Sequence, residues 1–158
     1  MLSIQDVWLR FLRVLEVVDE AVTAGSYEAL EKGLARELSA LGRELIQQAV
    51  EAVDERLREH AGERPGWVIV RRNDVKELLT PFGPVRYGHT YFRNKATGEY
   101  RYLADDWLGL TPHARVAPSV KATLVEKAAE TSYRKSGQWS WNAAWQVSGQ
   151  TVMNAQYH

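Results

Sequence analysis

The chain has no cysteine among its 158 residues. Disulfides and thiolate-bound zinc are therefore excluded. Histidine is sparse too: His60, His89, His113 and His158 are scattered, and no two have the spacing of metal ligands. Neither a metal nor any other cofactor is expected. Long apolar runs are missing, and nothing approaches the ~20 residues that a membrane span needs. The N-terminus, MLSIQDVWLRFLRVLEVVDE, interleaves charge with apolar residues and so lacks the uncharged centre of a signal peptide. These absences predict a cytoplasmic protein with no membrane partner. No internal repeat or low-complexity stretch is visible. With 45% hydrophobic and 25% charged residues, the chain has the composition of an ordinary folded protein, not a disordered one. Its length suits one average domain, or a small domain carrying an extended helical arm.

Net charge is also absent, yet the zero is the sum of two unlike parts. Residues 1–60 hold 7 Lys/Arg against 12 Asp/Glu, a balance of −5; residues 61–158 hold 13 against 8, a balance of +5. Only the second part carries the sign that contact with phosphate requires.

The first part has helical periodicity. Val7, Phe11, Leu15, Val18 and Val22 recur at three- and four-residue steps and predict one apolar helix face. TAGS then breaks the pattern, with Gly25 as the stop and Ser26 as the N-cap of the next helix. That helix carries a second stripe, from Tyr27 through Leu30, Leu34, Leu38, Leu41 and Leu45 to Leu57, and extends to about His60. Two readings of this pair stand open: an intramolecular antiparallel hairpin, or a coiled coil that pairs protomers into a homo-oligomer.

Beyond Pro65 the period falls to two. WVIV (67–70), VKELLT (75–80), VRYGHTYF (85–92) and EYRYL (99–103) read as three or four antiparallel strands, with turns at RND, PFGP and NKATG, where Gly98 supplies a positive φ. On the third of these, Val85, Tyr87, His89 and Tyr91 share one face. Asp105 and Asp106 are read as capping residues ahead of Trp107 and Leu108. A further helix begins near Ser119, with Val120, Leu124, Val125 and Ala128 on its apolar face. The fold class is therefore α+β: a helical hairpin arm over 1–62, an antiparallel β-meander over 63–110, and a helical unit over 111–158.

That last unit contains VSGQTVMN (147–154). Ser148 suits an N-cap, and Val147 and Val152 occupy the two positions of a hydrophobic staple. Such a start, V-S-x-x-T-V, resembles the second helix of repressor-type helix-turn-helix proteins. By that resemblance Gln150 and Asn154 point into the major groove of double-stranded DNA, and Ser148, Thr151, Arg134 and Lys135 hold phosphate oxygens. Gln146 and Asn142 stand where the motif favours a glycine and a small alanine. Trp139, Trp141 and Trp145 either fill the space this leaves or form a stacking platform for single-stranded nucleic acid. Among the sheet residues, Arg86, Tyr91, Arg93, Lys95, Tyr100, Arg101 and Tyr102 either add backbone contacts or serve only cross-strand packing.

Three stretches, LLTPFGPVRYGHTYFRNKATGEYRYLADDWLGL (78–110), RVAPSVKATLVEKAAETSYRKSG (115–137) and VSGQTVMN, resemble in order and spacing the N-terminal part of insertion-sequence transposases of the ISLre-two family, catalogued as an uncharacterised protein family. The resemblance implies binding of transposon-end DNA and a following ribonuclease-H-like domain, whose acidic triad holds two metal ions. The acids of this chain are concentrated in the N-terminal helices, and no nucleophile–base pair or phosphate loop is visible. The expectation is a DNA-binding fragment that is not itself an enzyme. The alternative is a protein-interaction or oligomerisation module without a DNA role.

Overall fold

The computed structural model describes residues 4–130. Helix α1 (Ile4–Thr23) and helix α2 (Tyr27–Glu59) form an antiparallel hairpin. The turn between them follows the sequence: Gly25 takes φ +61°, and the Ser26 hydroxyl accepts the Ala29 amide at 3.2 Å. A short 3-10 turn (Ala61–Glu63) leads into strand β1 (Trp67–Thr80), then β2 (Gly83–Asn94) and the two-residue β3 (Tyr100–Arg101). Helix α3 (Leu103–Trp107) and helix α4 (Pro118–Glu130) complete the described chain. Helices with an antiparallel sheet in order β1-β2-β3 make the fold α+β.

Several expectations change in detail. The first two expected strands are one: β1 runs unbroken through RND, which forms a bulge instead of a turn. The register slips between Ile69 and Arg71 and again between Arg71 and Asp74, and Asn73 takes φ 58°. An extra residue of this kind steepens the local twist. On β2 the buried side accordingly passes from Val85, Tyr87 and His89 to Thr90 and Phe92. Gly98 has φ +74°, as its turn requires.

The hydrophobic core joins Val50 of α2 to Leu78, Val85 and Tyr87 of the sheet and to Ala117, Val120 and Leu124 at α4. The chain returns to the free edge of β1 before α4: the Leu79 amide donates to the Arg115 carbonyl and the Ala117 amide to the Leu79 carbonyl, both at 2.8 Å. This shields an edge that would otherwise offer unpaired backbone groups.

The face of α1 is also corrected. Val14, Val17 and Ala21 are buried, whereas Phe11, Leu15 and Val22 of the expected stripe are exposed. Gly33 of α2 lies against Val17, so close that a Cβ there would overlap Val17 Cγ1. A second apolar stripe thus exists on α1, and the close approach at Gly33 selects which one faces α2.

Candidate functional site

Arg134, Lys135, Ser148, Gln150, Thr151 and Asn154, the candidate DNA contacts, lie outside the described residues, as do Trp139, Trp141 and Trp145. The sheet is described. Its residues 64–101 hold eight Lys/Arg and three Asp/Glu.

At its far end one side of the sheet gathers cations and aromatic rings. Tyr91 and Tyr100 stack at 5.3 Å, Tyr102 lies 4.7 Å from Tyr91, and the Arg71 guanidinium sits over the Tyr91 ring at 4.8 Å. Arg93 pairs with Tyr100 in the ladder and so projects from the same side. Tyr91, Arg93, Tyr100 and Tyr102 therefore come together as a group, joined by Arg71, which periodicity alone did not single out. Arg86 falls on the opposite side of β2, 4.0 Å from Glu77. Arg101 is engaged by Glu99 at 2.6 Å and by Asp106 at 3.6 Å. By contrast, Arg72, Arg93 and Lys95 are exposed and have no ion-pair partner among the described residues.

Beneath this surface lies a buried network centred on Asp105. The residue sits in the first turn of α3, but its side chain caps nothing. One carboxylate oxygen accepts from the Tyr87 hydroxyl at 2.9 Å, and the other accepts from Lys76 Nζ at 2.8 Å. His89 Nδ1 stands 3.2 Å from that second oxygen. The His89 ring stacks on Tyr102 at 3.7 Å and meets Tyr87 edge-on. The Tyr102 hydroxyl donates to Asp74 at 2.8 Å, and Arg71 holds the same carboxylate at 2.7 Å. The ladder makes this convergence possible, since it sets Lys76 opposite Tyr87 and Asp74 opposite His89.

Burial alone would raise the Asp105 carboxyl, but His89 and Lys76 outweigh it and hold the group below the ordinary carboxylate range. Burial, with Asp105 as neighbour, pushes the Tyr87 phenol well above its ordinary value. Asp74 is held low by Arg71 despite partial desolvation. A carboxylate at 4% exposure that accepts from Tyr87 and Lys76, with the His89 ring beside it, is suited to pinning α3 onto the sheet, not to accepting a proton.

On α2, Asp54 binds Thr90 and Glu51 approaches the Gly88 amide at 3.3 Å. These acids line a polar cleft of about 350 Å³ with Gln48, Arg58 and Asn73. No group of three or more His, Asp or Glu side chains among the described residues could hold a metal ion.

The family described as Uncharacterised protein family (UPF0236) matches residues 21–157. The chain belongs to this family. Among its relatives are UPF0236 proteins of Caldanaerobacter subterraneus subsp. tengcongensis. One, whose name joins eleven designations, is 40% identical over 115 residues, which cover 73% of this chain and 24% of the relative. A second is 40% identical over the same shares, and a third, whose name joins four designations, is 39% identical. The chain thus spans about a quarter of the length of the curated relatives it matches. No solved structure matches it. The UPF0236 match takes in the whole sheet, the Asp105 network and all six C-terminal candidate residues. No helix among the described residues is long and apolar enough to cross a membrane.

Proposed function

We propose that this UPF0236 chain is the DNA-binding part of an insertion-sequence transposase, engaging duplex DNA through its C-terminal residues and the basic end of its sheet. The carrying observation is the way charge divides over the fold. The acidic excess lies along the hairpin, whereas the sheet and its turn leave Arg72, Arg93 and Lys95 exposed and, among the described residues, without an ion-pair partner, with Arg93 on the side of the stacked tyrosines. Unpaired cations release counterions when they meet phosphate, and that release drives backbone binding.

Two further points support the reading. The stretch VSGQTVMN carries residue types suited to base and phosphate contact, with Gln150 and Asn154 reading base edges and Arg134, Lys135, Ser148 and Thr151 holding the backbone. One relative's name joins eleven designations in a single organism, which is the pattern that a sequence copied repeatedly within a genome would leave. Strand transfer is assigned to the remaining length of the longer relatives, and this part is proposed to bind without catalysing.

Fluorescence anisotropy of the whole chain on labelled duplexes tests the proposal. Affinity falls steeply with salt, with a log–log slope reporting several released counterions. Absence of binding at low salt would leave the second reading, an interaction module, which the exposed apolar side of α1 favours.

A further inference from the structure

We infer that Tyr100, the outer ring of the tyrosine stack, receives an unpaired nucleobase, so that this end of the sheet holds a single-stranded extension of the bound DNA. The inference rests on the DNA-binding reading and adds to it the form of DNA that the sheet takes. The stack begins with a cation and ends in an open ring. Arg71 of β1 lies over Tyr91 of β2 at 4.8 Å, and Tyr91 stacks on Tyr100 of β3 at 5.3 Å, the two rings inclined by 18°. Since β2 lies between β1 and β3, Arg71 and Tyr100 flank Tyr91 from opposite sides. At the edge of the sheet, Tyr100 is 48% exposed, and among the described residues no further ring or guanidinium meets it. Tyr102 differs, because it is enclosed by His89 at 3.7 Å and Tyr91 at 4.7 Å.

Charge identifies the occupant as a ring joined to phosphate. Arg93 stands opposite Tyr100 in the ladder, exposed and without an ion-pair partner among the described residues. The neighbouring acids are already engaged: Arg71 holds Asp74 at 2.7 Å and Arg101 holds Glu99 at 2.6 Å. A phosphate beside Tyr100 therefore meets a free cation and no bare carboxylate. The support beneath is fixed, since the Tyr102 hydroxyl donates to Asp74 at 2.8 Å and Phe92, on the reverse side of β2, is fully buried. Adding one more flat ring to a stack already held in place loses little conformational freedom. Every base has a π-face, so such a platform accepts any of the four bases. Inside a duplex both faces of a base are covered by its neighbours, and only a base released from pairing can lie on a protein ring.

Anisotropy titrations of the whole chain on one duplex in three forms test the inference: blunt, with a short single-stranded tail, and with the same tail made of abasic sugars. The tailed form binds about tenfold more tightly than the blunt one. The abasic tail keeps the phosphates but lacks the rings, and it forfeits most of that gain. Tyr100→Ala abolishes the difference between tailed and blunt forms, whereas Tyr100→Trp, which keeps a stacking ring, retains it. In the unaltered chain, 5-iodouracil placed in the tail crosslinks under ultraviolet light to Tyr100, a contact that a merely structural tyrosine would not make. Failure to bind any of the three forms at low salt overturns the DNA-binding reading itself. Equal affinity for blunt and tailed duplexes, or an equal gain from the abasic tail, overturns this inference and leaves that reading standing.

Discussion

The two carboxylate oxygens of Asp54 hold Thr90 twice, one accepting its backbone amide and the other its hydroxyl, each at 2.7 Å. The residues lie 36 positions apart, and Thr90 is fully buried. This pair of hydrogen bonds fixes where the last turns of α2 cross β2, and with it the direction in which the hairpin leaves the sheet. Asp54→Ala strips a buried amide and a hydroxyl of their acceptor and is expected to cost about 2–3 kcal/mol, with Asp54→Asn costing less. Urea denaturation of the two variants gives the comparison; equal stability to the parent would remove this role.

Asp105 sets a pH window. Its folded carboxyl is depressed below 3.8, so the stability it contributes is complete above that value and fades as pH falls through the lower folded value. Tyr87 works from the other end. Its folded phenol is raised above 10.0, so its contribution is complete below that value and fades as pH rises further. Melting temperature against pH should decline on both sides, and Asp105→Asn should flatten the acid limb. Asp105→Ala leaves Lys76, 11% exposed, without its carboxylate and is expected to cost about 3 kcal/mol.

Gly33 and Val17 form a coupled pair. A methyl group at Gly33 meets the stiff branch of Val17. Overpacking costs about 1–3 kcal/mol, which outweighs the roughly 1 kcal/mol that alanine gains over glycine in a helix. Gly33→Ala is therefore expected to destabilise, and Val17→Ala in the same chain to recover part of the loss. A double-mutant cycle by chemical denaturation measures the coupling, which a strictly additive result would deny.

Nucleic-acid affinity should separate two kinds of residue. Reversing Arg93 and Lys95 to glutamate is expected to weaken binding to every duplex alike and to lower the salt slope by about one for each phosphate no longer neutralised. Gln150→Ala and Asn154→Ala are instead expected to relax preference at single base pairs by about 1–3 kcal/mol. Anisotropy titrations on a set of single-base-pair variants distinguish these outcomes.

The two N-terminal helices, their Gly25–Ser26 turn, the switch to period two after Pro65 and the shared face of Val85, Tyr87 and His89 were all legible in the residues. Local rules govern each: apolar spacing, capping and the alternation of a strand. The seam of α1 was not legible, because two apolar stripes compete there and only the contact of Gly33 with Val17 decides between them. Nor was the continuity of β1, since RND has the composition of a turn and becomes a bulge only when β2 pairs along its whole length.

The amino-acid order by itself determined the element types, the division of charge and the family-specific succession of motifs, because these depend on neighbours a few residues apart. The tertiary structure alone decided that Lys76, Tyr87 and His89 of the sheet converge on the buried carboxylate of Asp105. That grouping depends on strand register and on the placement of α3, and both are set by pairing between distant segments, which no local pattern encodes.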